Sequence, residues 1–342
     1  MTGSNTPRAL CLGEGLVVLH PDAAGGRGAS PLLECSVGGA EANVAGGLAA
    51  LGVPSAWVSR LGDDPFGDYI ARDLAARDIA VIAPRDGARP TGAYLKEHTP
   101  AGSRMHYYRS GSAASVMDGT LLEQPPVSEV LAGCDVVHTS GITAGIIEPD
   151  SDLLRRLVAA RDRHGFVLSA DLNWRPALWQ GRSRQPLDEL LSAADVVLLG
   201  ADEAEVALGT ADPARLRERL GPRPRLVIKS DAHVATEIEP DGTTTQVPAL
   251  HVDVIEPIGA GDGFAAGYLA GLIGGLDATG RLRLGHLTAA SVLVEPGDHV
   301  RRAPDARMRR RLVTATAEEW SAFRVSAAVI GSTQEEGSVT SR

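Results

Sequence analysis

Short apolar runs recur along this chain, at residues 56–61, 135–138, 166–170, 196–199 and 226–229, with stretches of helical periodicity between them. Runs this short read as buried strands. Strands that alternate with helices return by crossovers, so the rhythm predicts β-α-β units and a mostly parallel sheet. The segment 151–164 is one such helix: Leu153, Leu154, Leu157 and Val158 recur at helical spacing, with Arg155, Arg156, Arg161 and Arg163 available for the wet face. Two segments break the rhythm. Residues 16–37 and 89–116 are rich in Gly, Ser, Tyr and β-formers without a helical period, and are expected to form a small antiparallel β lid on the α/β body. From about Ser326 the chain turns polar, and residues 326–342 are expected to be a disordered tail.

The 342 residues suit one large α/β domain, and 44% apolar with 22% charged residues excludes wholesale disorder, collagen and coiled coil. A formal net charge of -10 is opposite to the basic footprint of a nucleic-acid binder, so an anionic ligand needs a local cationic pocket. Cys11, Cys35 and Cys134 are odd in number and far apart, which argues against a disulfide framework or a zinc site. No apolar run reaches the roughly 18 residues of a membrane span, and residues 1–8 lack a hydrophobic signal core. A cytoplasmic protein without membrane or nucleic-acid partners is expected.

The segment Glu256-Pro257-Ile258-Gly259-Ala260-Gly261-Asp262-Gly263-Phe264 runs a glycine-rich turn into a helix. Phe264, Tyr268 and Leu272 recur at every fourth position, while Ala266, Gly267 and Ala270 allow close packing. Such a turn offers free backbone N–H groups at a helix N-terminus, which suit a transferring phosphoryl group. Asp262 stands beside them, where a carboxylate can accept the proton of an attacking hydroxyl. A plain aspartate-capped turn remains the alternative, because short glycine motifs are weak signals. A second segment, Gly38-Gly39-Ala40-Glu41-Ala42-Asn43, leads into a helix with Val44, Leu48 and Leu51 on one face. Gly38 and Gly39 let the backbone approach a ligand and Asn43 can hydrogen-bond hydroxyls, although alone this is more often just a helix start.

Together, Gly38-Gly39 with Asn43 and the later Gly259-Ala260-Gly261-Asp262 resemble the ribokinase-like (PfkB) family of carbohydrate kinases, over roughly residues 9–315. The resemblance implies a doubly wound, mostly parallel sheet flanked by helices, a kinase domain over 9–325, and a β lid over the sugar. Three segments look like the pattern of 2-keto-3-deoxygluconate kinases: Thr91-Gly92-Ala93-Tyr94-Leu95-Lys96-Glu97, His106-Tyr107-Tyr108-Arg109-Ser110-Gly111-Ser112-Ala113-Ala114-Ser115 and Asp171-Leu172-Asn173-Trp174-Arg175-Pro176-Ala177-Leu178-Trp179. If 107–109 is a strand, Tyr107 and Arg109 share a face. Arg109 and Arg175 can then offer a planar fork to a substrate carboxylate, which a neutral sugar does not need. The family's sugar contacts carry over to Gly38, Gly39, Asn43, Tyr94, Tyr107, Arg109, Ile142 and Arg175. The implied reaction is ATP-dependent phosphorylation of the sugar acid at O6. Asp262 deprotonates the hydroxyl, and the amides of Gly259, Ala260 and Gly261 stabilise the developing charge. Lys229, Ser230, Gly259, Gly261 and His286 contact the nucleotide, and Mg²⁺ bridges the phosphates with Glu203 as an indirect partner through water.

Several residues depart from the family pattern. Gly200 replaces the asparagine of an Asn-x-x-Glu motif that ends at Glu203. Glu256 replaces an aspartate associated with monovalent-cation binding in some members, which argues against potassium activation. Lys229-Ser230-Asp231-Ala232-His233-Val234 replaces Lys-x-Gly-x-x-Gly: Asp231 adds negative charge near the expected phosphates, and β-branched Val234 tolerates positive φ poorly. His286 stands where an asparagine often lines the adenine pocket. The alternatives are therefore a family kinase for another sugar acid or a ketohexose, and a catalytically weak sugar-acid-binding protein. His20, His98, His138 and His164 show no metal-ligand spacing. The basic runs at 301–302 and 307–311 read as a solvated face or a subunit contact. Exposed lid strands invite a partner, so a homo-oligomer is expected.

Overall fold

The apolar runs become strands of one sheet in the computed structural model, which describes residues 6–21, 33–99, 102–230, 233–295, 297 and 299–331. Among the described residues this sheet has nine strands, in the order Thr244–Pro248, Val234–Ile238, Arg225–Ser230, Val196–Gly200, Val167–Asp171, Val136–Ser140, Ala9–Leu12, Ser55–Val58 and Ala80–Ile82. The strands from Arg225–Ser230 to Ala80–Ile82 are parallel, and the two at the opposite edge are antiparallel. The run at 56–61 is divided: Leu61–Gly62 pairs separately with Arg85–Asp86. Alternate residues feed two cores. Leu10, Val137, Leu168, Val197 and Leu226 face one, while Ala9, Val136, Val196 and Val227 face the other. Burial on both faces is why these runs read as continuously apolar. Each fully buried Leu contributes about 1.5–3 kcal/mol.

From Ala9–Leu12 the chain proceeds to one side, through Ser55–Val58 and Ala80–Ile82, and then returns to the other side at Val136–Ser140. Ligands of open parallel sheets bind beyond the carboxyl ends of the strands at such a reversal. Glu14, Ile142, Asp171, Gly200 and Lys229 all end or closely follow these strands.

A second sheet carries Leu33–Gly38, Leu16–Pro21, Ala93–Thr99 and Gly102–Tyr108, in that order. This is the expected lid, with two corrections. Its central pair, Leu16–Pro21 with Ala93–Thr99, is parallel rather than antiparallel. The intervening chain passes through two helices, Ala40–Ala50 and Pro65–Ala75, and two strands of the main sheet, and so can return in the same direction. The lid also ends at Tyr108, because Ala113–Val116 is a 3-10 turn with Ala113 and Ala114 buried in the body. Residues 22–32 and 100–101 of the two lid segments lie outside the described residues.

The helix expected at 151–164 spans Leu153–His164 and ends on Gly165 in the left-handed region. Arg161 is not on its wet face. It is 7% exposed, and its guanidinium donates to Asp195 at 2.9 Å, an acid that also accepts the Leu168 N–H near the start of the central strand Val167–Asp171. The first residues of the tail expected from 326 are folded: Ala327–Gly331 is a helix whose Ile330 is buried, and just before it Arg324–Val325 pairs with His251–Val252. Residues 332–342 lie outside the described residues. No helix among the described residues is long and apolar enough to cross a membrane.

Candidate active site

Between the lid and the carboxyl ends of the strands lies a cavity of about 1170 Å³. That is more than the roughly 300–1,000 Å³ of a typical single-ligand pocket. Two helices aim their N-termini at it, and each starts on a glycine that no other residue could replace without strain. Gly39 has φ 126°, and a Cβ there would lie 2.3 Å from the Glu14 carbonyl oxygen. Gly259, with φ 84°, precedes the helix Ala260–Ile273 and turns the following amides toward the cavity.

Asp262 sits in the first turn of the Ala260–Ile273 helix, and Asn43 in the Ala40–Ala50 helix. The Asn43 Nδ2 donates to Asp262 Oδ2 at 2.8 Å across 219 positions of sequence, which fixes the carboxylate. Withdrawal from bulk water pushes the Asp262 pKa up to about 7; the Asn43 hydrogen bond opposes this, and the charges of Asp171 and Glu41 add to it. A carboxylate so tuned suits proton abstraction near neutral pH. Lys229 Nζ donates to Asp171 at 2.9 Å. Burial disfavours its ammonium, but Asp171, Glu203 and Asp262 outweigh that and hold its pKa above the usual value. A Cβ on Gly261 would lie 3.8 Å from this Nζ, so the ammonium stands beside the amide-lined turn.

Both arginines of the expected carboxylate fork open on the cavity, and both already meet an acid. Arg109 is paired with Glu14, with side chains 12% and 2% exposed. Arg175 donates to Glu203 at 3.0 Å, with side chains 48% and 23% exposed. Arg109 lies past the end of the Gly102–Tyr108 strand, so the pleat does not set its direction. Its guanidinium nevertheless lies 5.5 Å from the Tyr107 ring centroid, and Tyr107 packs 5.3 Å from Tyr94. Burial raises the Glu203 pKa, Asp171 adds to it, and Lys229 and Arg175 pull it down.

The same cavity is also lined by the apolar Val234, Leu250, Val252, Val254 and Phe264, together with His286. Burial pushes the His286 pKa down to about 4, leaving a neutral ring that bonds the Val247 carbonyl at 3.1 Å and meets Phe264 edge-on. Val234 begins an ordinary strand opposite Ser230 and Pro248, so its β-branch meets no left-handed backbone. Asp231 lies outside the described residues.

Of the residues singled out in the sequence, Gly39, Asn43, Tyr94, Tyr107, Arg109, Ile142, Arg175, Glu203, Lys229, Gly259, Ala260, Gly261, Asp262 and His286 line this one cavity. Gly38 and Ser230 do not; they end strands just behind its wall. Sequence reasoning missed Glu14, Glu41 and the role of Asp171 as the Lys229 partner. Glu41 is fully buried and accepts the Ser140 and Thr143 hydroxyls at 2.6 and 2.8 Å. Burial raises its pKa against those hydrogen bonds. The available signal was an acid set among glycines directly after an apolar strand, as in Gly13-Glu14-Gly15. Among the described residues no cluster of three or more His, Cys, Asp or Glu could cage a metal ion. Glu203, the acid expected to meet a nucleotide's magnesium through water, lines the cavity and accepts from Arg175.

Comparison with known proteins bears on the family and the fold. The model of the pfkB family of carbohydrate kinases matches residues 10–304. A 2-dehydro-3-deoxygluconokinase of Thermoproteus tenax is 31% identical over 300 residues, covering 85% of this chain and 89% of that one. A fructokinase of Klebsiella pneumoniae is 34% identical over 268 residues, covering 76% and 83%. The structure of a fructokinase with bound ATP from Xylella fastidiosa superposes with a TM-score of 0.75 at 22% identity, covering 86% of this chain and 95% of that one.

Proposed function

This chain belongs to the pfkB family of carbohydrate kinases, and from that premise we propose that it phosphorylates 2-keto-3-deoxygluconate at O6 with ATP, giving 2-keto-3-deoxy-6-phosphogluconate. The observation that carries the reading is Asp262, held by Asn43 in the first turn of a helix whose N-terminus lines the cavity. Asp262 takes the proton of the O6 hydroxyl as that oxygen attacks the γ-phosphorus in line, and the bond to the β-phosphate oxygen breaks to release ADP. The amides of Gly259, Ala260 and Gly261, with the Lys229 ammonium beside them, face the charge that develops on the transferring group. Magnesium, when bound with the nucleotide, neutralises phosphate charge. Tyr94, Tyr107 and Ile142 shape the sugar side, and Arg109 and Arg175 face the substrate carboxylate.

A neutral ketohexose is the second reading, and a specific observation favours it: Arg109 and Arg175 are each already neutralised, by Glu14 and Glu203. The decisive assay is ADP release with Mg-ATP and 2-keto-3-deoxygluconate, fructose or ribose, for wild type and Asp262→Ala. Turnover confined to the sugar acid and lost in the variant is expected. Turnover with fructose alone moves the substrate to the second reading, and sugar-acid binding without turnover makes the protein a binder. We also propose a homo-oligomer joined through the lid, where Tyr107 and Tyr108 are 47% and 65% exposed. Sedimentation as a monomer at micromolar concentration would count against it.

A further inference from the structure

Arginine supplies almost all the positive charge of this chain: of its 33 Lys and Arg residues, only Lys96 and Lys229 are lysines. Both are withdrawn from solvent in ion pairs beside the cavity, Lys229 with Asp171 and Lys96 with Glu256. Use of a guanidinium everywhere else, and an ammonium at two enclosed pairs, points to a need for a small cation there. Lys229 belongs to the site described above. Lys96 does not: neither it nor Glu256 lines the cavity.

Lys96 lies on the lid strand Ala93–Thr99, two positions after Tyr94 and so on the same face. Its side chain is 5% exposed and crosses from lid to body to reach Glu256, 160 positions later, at one carboxylate oxygen. The other oxygen accepts the Ile258 N–H at 3.2 Å, inside the turn that ends at Gly259. One carboxylate therefore ties the lid to the segment that aims the phosphate-facing amides. An ammonium is a compact point charge with three rotatable donors, whereas a guanidinium is a wide planar fork.

We propose that the Lys96 ammonium is a built-in monovalent cation, carried on the lid, that holds Glu256 and thereby positions the turn Glu256-Pro257-Ile258-Gly259 for phosphoryl transfer. Lys96 is a positioning residue and acts through Glu256. Without it, an enclosed carboxylate loses its counter-charge, which is unfavourable. The space left by a shorter apolar side chain then admits a small soluble cation, ammonium or potassium.

The inference rests on the phosphoryl-transfer reading, and the test separates the two. Steady-state kcat and both KM values are measured for wild type, Lys96→Met, Lys96→Arg and Lys96→Met/Glu256→Gln. Ammonium or potassium chloride is compared with tetramethylammonium chloride at equal ionic strength. In Lys96→Met, kcat should fall on the order of tenfold to a hundredfold, as for a displaced catalytic group, with the sugar KM changed much less. Ammonium should restore most of the loss in Lys96→Met and none in the double variant, and Lys96→Arg should stay low without responding. Wild type should be indifferent to the exchange of cations, a comparison that decides the matter even if Lys96→Met does not fold. Potassium activation of wild type, full activity of Lys96→Met or Lys96→Arg, or a loss that no cation restores would overturn the proposal. Turnover that survives Asp262→Ala would instead overturn the transfer reading itself.

Discussion

Toward the lid the cavity wall carries Arg109, which, like Arg175, meets a carboxylate; another stretch of the wall, made of residues far from the lid strands in sequence, is Val234, Leu250, Val252, Phe264 and an uncharged His286. An unpaired buried ion costs several kcal/mol, and the enclosed Arg109 and Glu14 avoid that cost by pairing. A substrate carboxylate must therefore compete with an acid already in place. The apolar stretch has no such competition, and what binds there is selected by shape and stacking. Recognition by the arginines should thus be sensitive to single charges, and recognition at the apolar stretch to volume.

The sharpest way to break this comparison is at Asp262, which lines the same cavity. Asp262→Ala should lower kcat by about a thousandfold, within the range for removal of a general base, whichever substrates are supplied. With the Asp262 pKa raised to about 7, kcat/KM in wild type should climb as pH rises through 7, because only the deprotonated carboxylate accepts the hydroxyl proton. A flat profile between pH 6 and 8 would show that another group takes the proton.

The two arginines sharpen the comparison next. Arg109→Ala leaves Glu14, 2% exposed, without its cation, so it should lose about 3 kcal/mol of stability in denaturant titrations as well as sugar affinity. The Arg175–Glu203 pair is half in water, so Arg175→Ala should cost about 0–1 kcal/mol of stability. If Arg175 holds the substrate carboxylate, its loss should still raise the sugar-acid KM by about tenfold, the effect of one charge-assisted hydrogen bond. An unchanged sugar-acid KM would leave Arg175 a surface pair and favour the neutral sugar.

Parts of this arrangement were legible in the sequence for a physical reason. A strand buried on both faces is mostly apolar through its middle, so the parallel sheet announced itself at 196–199 and 226–228. The Gly259 turn was legible because few residues besides glycine hold φ 84° without strain. What stayed hidden depends on residues far apart in the chain. Nothing local to Arg161 tells that Asp195 will take it out of water, and nothing local to Arg109 tells of Glu14, 95 positions earlier by residue number. The parallel pairing of Leu16–Pro21 with Ala93–Thr99 is likewise set by the chain between them.

The apolar stretch yields smaller effects. His286 is neutral in the folded chain and has a folded pKa of about 4, below the roughly 6.5 of a free imidazole. The unfolded chain therefore takes up its proton first, and this residue should lower stability as pH falls from about 6.5 toward 4. His286→Asn should flatten that dependence and raise the ATP KM only a few-fold, about 1 kcal/mol, because stacking and volume rather than charge are lost. A KM effect comparable to that of Arg175→Ala on the sugar acid would put a specific polar contact in the stretch that is argued to lack one.

The smallest effect is expected at Val234, where the sequence alone suggested the greatest conflict. A β-branched residue would obstruct a loop that needs positive φ, but Val234 opens a regular antiparallel strand, opposite Ser230 and Pro248. Val234→Gly should therefore relieve nothing. It removes a side chain from the cavity wall and adds backbone freedom to the unfolded chain, for a loss of about 0.5–1 kcal/mol in thermal unfolding. The ATP KM should stay the same or rise slightly. A glycine here that tightened ATP would mean that the nucleotide draws this strand end into a left-handed turn. The apolar stretch would then be shaped by its ligand, while the charged one remains set by its ion pairs.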